Sequence, residues 1–143
     1  MTFDPDVVRF SLMRQSFMRT LGAEVVSVEP GRVVLALPFR DDLCQQNGFL
    51  HAGVVTSVAD SACGYAALTL MPPDSDVLSV GFTVNLLAPA AGARIRATGT
   101  VVRAGRTLTV CSGEVVAVEA DGTQRPVALM QATMIRRPAA PDG

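Results

Sequence analysis

The spacing of hydrophobic residues changes character along this chain, and each change predicts an element. Over residues 4–21, Val7, Phe10, Met13 or Arg14, and Phe17 recur every three to four positions, the period of one helix face. Asp4 followed by Pro5 supplies a start signal, and Gly22 a stop. The period then shortens. Ala23 to Glu29 and Arg32 to Leu37 are β-rich runs on either side of Glu29-Pro30-Gly31, which predicts a hairpin. Pro38 to Leu43 reads as a loop. From Gly53 to Met71 the chain is almost continuously apolar, too long for one strand and rich in alanine. That segment is predicted to be a helix buried on most faces, stopped by Met71-Pro72-Pro73-Asp74. Strand-like runs follow at Val77 to Leu87, Ala93 to Arg103, Thr107 to Ala120 and Pro126 to Arg136. Pro89 with Gly92, Ala104-Gly105-Arg106, and Asp121-Gly122 separate them. Such short links predict hairpin connections and antiparallel pairing.

Helix, two strands, a long apolar helix and four strands make an α+β fold. Strands joined by tight turns curl, and the apolar helix must lie against the concave face. The result is an antiparallel sheet wrapped around a long central apolar helix, the hot-dog arrangement in outline. Period and connectivity alone leave other α+β topologies open. The 143 residues are read as one domain, 1–143, with residues 1–21 as an N-terminal helix and 137–143 as a flexible tail.

Composition narrows the function classes. The formal net charge is −1 and no Lys/Arg run exists, so the chain carries no electrostatic footprint for nucleic acid. Charged residues make up only 17% of a chain that is 49% hydrophobic, which hints that part of the surface is covered in an oligomer. Cys44, Cys63 and Cys111 are an odd, widely spaced set, read as reduced thiols in a cytoplasmic protein. Asp4, Asp6, Arg9, Arg14 and Arg19 leave no apolar core for a signal peptide. Ala52 to Met71 is nearly long enough to span a membrane, but Asp60 near its middle argues for a buried helix and no membrane association.

Asp60 is the residue that asks for an explanation. A carboxylate on an otherwise uncharged apolar helix is costly unless something pairs with it or uses it. From the residues alone it is either catalytic or a structural carboxylate satisfied by Gln45, a serine hydroxyl or a backbone amide. The helix is preceded by Gln45-Gln46-Asn47-Gly48-Phe49-Leu50-His51-Ala52-Gly53, which holds the only histidine. A lone histidine is more often a hydrogen-bonding brace than a catalyst. With no second histidine and no Cys or carboxylate at ligand spacing, no metal is expected.

These residues resemble a known family. Gln45-x-x-Gly48-x-x-His51-Ala52-Gly53 followed by Asp60 is similar to the signature of hot-dog-fold acyl-CoA thioesterases of the PaaI (phenylacetate-degradation) type. The likeness continues through Ser79 to Pro89 and through Arg103-Ala104-Gly105-Arg106-Thr107, and covers roughly residues 20–136. The resemblance implies an acyl-CoA substrate and hydrolysis without metal or redox cofactor. It casts Asp60 as general base or nucleophile and Gln45 as the residue orienting water or substrate. The Ala52 amide becomes an oxyanion donor, and Ser79 an assisting hydroxyl. Arg103 and Arg106 fall near the nucleotide end of coenzyme A. His51 and Gly53 belong to the substrate-binding approach, with the His51 ring bracing the loop. The family usually has Gly-Gly after the histidine. Ala52 keeps the amide donor, but its Cβ narrows the allowed backbone and crowds the thioester's approach.

The residue types suit the chemistry. Amides at a helix start carry partial positive charge, so Ala52 and Gly53 are placed to hold the oxyanion that forms when a thioester carbonyl is attacked. Asp60 lies eight positions further on, about 12 Å along the axis at about 1.5 Å per residue. One chain cannot bring both to one carbonyl, but a second, antiparallel helix could. A homodimer is therefore expected, and the resemblance extends this to a homotetramer built as a dimer of dimers. Met18, Leu50, Tyr65, Leu68 and Phe82 are candidate acyl-pocket liners, each equally readable as core. Two competing readings remain: a hot-dog 3-hydroxyacyl thioester dehydratase, which needs His51 as an acid/base partner, and a non-catalytic acyl-CoA-binding protein.

Overall fold

A six-stranded antiparallel sheet curls around one long helix. The computed structural model describes residues 3–139. In chain order the elements are α1 (Asp6–Arg14), α2 (Ser16–Leu21), β1 (Glu24–Glu29), β2 (Arg32–Pro38), α3 (Ala52–Leu68), β3 (Ser75–Leu86), β4 (Arg94–Ala104), β5 (Leu108–Val118) and β6 (Gln124–Pro138). The strands lie in the order β1-β2-β4-β5-β6-β3, with every pair antiparallel. This is the hot-dog fold.

Two glycines decide where α3 lies. Gly99 of β4 and Gly113 of β5 face each other across the ladder at the middle of the concave side. A Cβ at Gly99 would run into the Ala62 carbonyl and sit 2.6 Å from the Cys63 nitrogen. A Cβ at Gly113 would sit 3.0 Å from the Cys63 sulfur. Their missing side chains let the helix backbone settle directly onto the sheet, which fixes α3 at the turn after Asp60. Around this contact Val55, Val58, Ala59, Ala62, Cys63 and Ala66 are buried against inward-facing residues of β2, β4 and β5, including Leu35, Ile95 and Val115. The far end of the helix is tied down as well. Thr69 Oγ1 accepts the Gly31 N–H at 2.8 Å and donates to the Ala66 carbonyl at 2.6 Å. The tight Pro30-Gly31 turn of the expected hairpin is thereby latched to α3.

Three expectations need correcting. The short links suggested that each strand after α3 pairs with the next, but β3 pairs with β6 at the sheet edge and not with β4. The segment 87–93 is a crossing over the end of the sheet. The Leu87 N–H donates to the Val127 carbonyl, Leu50 N–H to the Ala90 carbonyl, Ala93 N–H to the Val118 carbonyl, and Phe39 N–H to the Ala93 carbonyl. Those four bonds carry the chain past β6 and β5 to β4. Pro89, lacking a donor, stays outside any ladder.

The N-terminal helix is also not continuous. It breaks at Gln15, whose backbone is extended (φ −80°, ψ 109°), into α1 and α2. Val8, Leu12, Met18 and Leu21 face the core, whereas Val7, Phe10, Met13 and Phe17, the stripe read from the sequence, are exposed. The break resets the helical phase, and with apolar residues on both sides the period alone could not choose. The Asp4 carboxylate accepts the Asp6 N–H at 2.9 Å, and Gly22 closes α2 in the left-handed region. At the other terminus β6 runs through Pro138, and the Ala139 N–H donates to the Asp74 carbonyl, so Arg137 to Ala139 are part of the sheet edge and its closure. The remainder of the expected tail, 140–143, lies outside the described residues.

Candidate active site

The first turn of α3 has its own hydrogen-bond accounting. His51 is the N-cap, and its ring Nδ1 accepts the Gly53 N–H at 2.8 Å. That contact requires Nδ1 to be unprotonated, which puts the ring proton of the neutral form on Nε2. The Val54 and Val55 N–H groups both donate to the His51 carbonyl. The Ala52 N–H alone in this turn has no partner among the described residues. Ala52 is exposed, and its unpaired amide lies at the helix start with the helix dipole behind it. Gly53, expected beside it as a second donor, has its amide occupied by His51. Its missing side chain serves that contact, since a Cβ would lie 3.0 Å from Nδ1.

The loop before the helix is held by backbone pairing. Cys44 and Leu50 form an isolated bridge, and His51 N–H donates to the Leu43 carbonyl. Within it the Gln45 N–H donates to Phe49, and the Gln45 side-chain oxygen accepts the Asn47 N–H. Gly48 takes a positive φ of 86°, the conformation the turn demands.

Asp60 sits at a second location. It is half-buried rather than sealed in the core, and lines a cleft of about 460 Å³ between α3, the start of β3, the end of β6 and α1. Ser79 Oγ donates to Asp60 Oδ1 at 2.6 Å. The other carboxylate oxygen has no protein partner among the described residues, which leaves it open to the cleft. Of the expected site residues, the structure brings Asp60 and Ser79 together. Gln45, His51, Ala52 and Gly53 are not among the residues lining that cleft. Arg103, near the end of β4, and Arg106, on the turn after it, are exposed, and their side chains have no ion-pair or hydrogen-bond partner among the described residues.

Of the candidate liners, Tyr65 and Leu68 do line the cleft, Met18 and Leu50 are core, and Phe82 is half exposed on β3. Ser11 and Gln15 were missed. Both reach the cleft from α1 and its end and meet the Tyr65 hydroxyl. They carry no local signal, because only the docking of α1 brings them near a residue 50 or more positions away.

Cys63 and Cys111 are sealed beneath the helix, where burial pushes their thiols up to about 12 and about 11. At neutral pH they are inert packing groups. Among the described residues no group of three or more His, Cys, Asp or Glu is placed to hold a metal. No described helix is long and apolar enough to cross a membrane.

A sheet wrapped around one helix is the architecture of the hot-dog class, and here that helix carries a serine-braced carboxylate and, at its start, a free amide. The sequence comparisons give the family: residues 47–122, somewhat more than half of the chain, match the Thioesterase superfamily, and the chain belongs to it. It is 32% identical over 91 residues to 1,4-dihydroxy-2-naphthoyl-CoA hydrolase of Listeria monocytogenes, covering 64% of this chain and 74% of that one. Among solved structures, a thioesterase family protein from Silicibacter pomeroyi is 48% identical, with a TM-score of 0.89, covering 92% of this chain and 96% of that one. The PaaI protein of the E. coli phenylacetic acid degradation operon shares the fold at a TM-score of 0.80, with 20% identity and coverage of 92% and 91%.

Proposed function

We propose that this protein hydrolyses acyl-CoA thioesters carrying medium-chain or aromatic acyl groups, as a cytoplasmic homodimer or dimer of dimers that uses no metal or redox cofactor. One observation carries the reading. The first turn of α3 leaves a single free amide, at Ala52, about 12 Å of axial rise from the serine-braced Asp60. Each half-site lacks what the other holds, and a second copy with its α3 antiparallel supplies it. The sheet edge favours such a copy. Among the described residues β3 is paired on one side only, and its inward-facing Phe82 and Leu86 are 47% and 54% exposed.

In the assembled site the thioester carbonyl oxygen lies against the partner subunit's Ala52 amide, with Gln45 orienting water or substrate and His51 fixing the helix start. Asp60, held by Ser79, takes a proton from water as the oxygen attacks the carbonyl carbon. The carbonyl electron pair moves onto oxygen, where the amide and the helix dipole hold it. Collapse of the tetrahedral species breaks the C–S bond, and the proton on Asp60 passes to the departing thiolate, giving free acid and CoA. Direct attack by the carboxylate, followed by hydrolysis of the mixed anhydride, uses the same geometry. Arg103 and Arg106 offer cations for the nucleotide end of CoA. The dehydratase reading is disfavoured by the His51 ring, whose Nδ1 is committed to the Gly53 amide.

The test is a panel of acyl-CoA esters read by free-thiol release. Turnover is expected in the wild type and should fall by roughly 10²–10⁴ in Asp60→Asn, the usual worth of a general base. Undiminished turnover in that variant, with fold and oligomer intact, rejects the assignment.

A further inference from the structure

The cleft that holds Asp60 is not a plain apolar slot. Asp60 and Ser79 line it together with the apolar Val77, Leu68 and Met134 and the charged Asp76 and Arg137. Ser11, Gln15 and Tyr65 add a polar wall. The Tyr65 hydroxyl accepts a hydrogen bond from Gln15 Nε2 at 2.6 Å and lies 3.0 Å from Ser11 Oγ. Tyr65 is itself 4% exposed, so its ring is a fixed post and not a surface side chain. It stands five residues beyond Asp60 on α3, about 7.5 Å of axial rise. A volume of about 460 Å³ lies within the range of small-molecule sites, roughly 300–1,000 Å³.

The break between α1 and α2 belongs to this wall. Gln15 takes an extended backbone at the junction and sends its side chain to Tyr65. A single phenol oxygen needs one partner to be satisfied, yet two side chains converge on it from a segment that gives up helix continuity at that point. Bonding capacity is left over. Gln15 Oε1 and its second N–H have no partner among the described residues, and a serine or tyrosine proton remains after the Ser11–Tyr65 contact is made. The wall can therefore both donate to and accept from a group in the cleft.

We propose that Ser11, Gln15 and Tyr65 form a specificity-determining polar wall, selecting acyl groups that carry a hydroxyl at the end remote from the thioester. The proposal rests on the assignment of the Asp60 cleft as the acyl site. An acyl group ending in a methyl or bare ring edge would strip water from this wall and return no hydrogen bond. A site built to bond a hydroxyl rejects the analogue without it for that reason.

The experiment compares matched pairs: hexanoyl-CoA with 6-hydroxyhexanoyl-CoA, and 3-phenylpropanoyl-CoA with its para-hydroxylated form. The wild type is expected to favour the hydroxylated member of at least one pair by roughly tenfold in kcat/KM. Tyr65→Phe and Gln15→Leu should each bring that ratio towards one. A variant that only loosened the fold would lower both members alike and leave the ratio standing. If neither member of a pair is cleaved, the catalytic assignment has failed on its own, and the same ratio is then read as Kd by calorimetry. A wild type indifferent to the hydroxyl in both pairs, or an unchanged ratio in both variants, overturns the proposal.

Discussion

β5 and β3 are strands of 11 and 12 residues that each mix apolar with polar side chains, and their apolar residues meet opposite fates. β5 has neighbours on both sides, and its inward residues from Thr109 to Ala117 are buried beneath α3. β3 has one neighbour, and Leu78, Val80, Phe82 and Leu86 remain about half exposed. The difference is position and not composition. α3 is pressed onto the sheet at Gly99 and Gly113 and buries the inward residues of β4 and β5 there, whereas on β3 it meets Val77 and Ser79 and leaves Phe82 and Leu86 exposed. The covered half holds the fold together. The open half carries the cleft, the carboxylate and an unpaired edge. Changes in the two regions should accordingly be felt as stability in one and as activity in the other.

The sharpest contrast should come from the exposed start of α3 and from the open sheet edge. Ala52→Pro removes the free amide while keeping the helix, because proline is tolerated at the first helical position. The preceding His51, at φ −58° and ψ 140°, already has the backbone that a following proline prefers. Turnover is expected to fall by roughly 10²–10³, as for loss of an oxyanion donor, with the melting temperature nearly unchanged. Full activity in this variant would remove the amide from the mechanism. Phe82→Lys places a charge on the exposed inner side of β3. Light scattering should show it shifting the chain towards monomer, with hydrolysis lost in proportion although Asp60 and Ser79 are intact. An active monomer would show that the edge has no part in the site.

The covered region should answer differently. Gly99→Ala forces a methyl into the Ala62–Cys63 backbone and should lower Tm by roughly 3–10 °C. An unchanged Tm would mean that α3 is not held by this contact. The buried thiols have no effect near neutral pH and are felt only in alkali. Their folded values of about 12 and about 11 lie above the ordinary 9.0, so the unfolded chain ionises first. Stability is then full below pH 9 and declines as pH rises from 9 towards 12. Denaturant melts across that window should show the decline, and its absence in a Cys63→Ala, Cys111→Ala double variant would assign it to these groups.

Much of this division was legible in the sequence. The long apolar run with one carboxylate marked α3 and Asp60, because a charge in such a run is hard to place by accident. The strands were legible too, from their turn residues. Their partners were not, because β3 and β6 meet through a ladder between residues some 40 to 60 positions apart, which no local period encodes. Gly99 and Gly113 offered only the weak sign of glycine inside a strand. The face of α1 was misread because both of its sides carry apolar residues and Gln15 interrupts the phase. In the site, His51 as helix cap was within reach of sequence reasoning. The commitment of the Gly53 amide to that same ring was not, since it depends on a side-chain rotamer.

The claim at the centre is that each working site is assembled from the Asp60 of one chain and the Ala52 amide of another. Mixing inactive Asp60→Asn with inactive Ala52→Pro under conditions of subunit exchange tests it directly. A mixed dimer then holds one intact site and one doubly impaired site, so an equal mixture should recover about a quarter of wild-type turnover if exchange is random. Recovery near that level, rising and falling with the fraction of mixed dimer, is the expected result. No recovery when mixed dimers are demonstrably present would mean that the two groups do not meet across an interface.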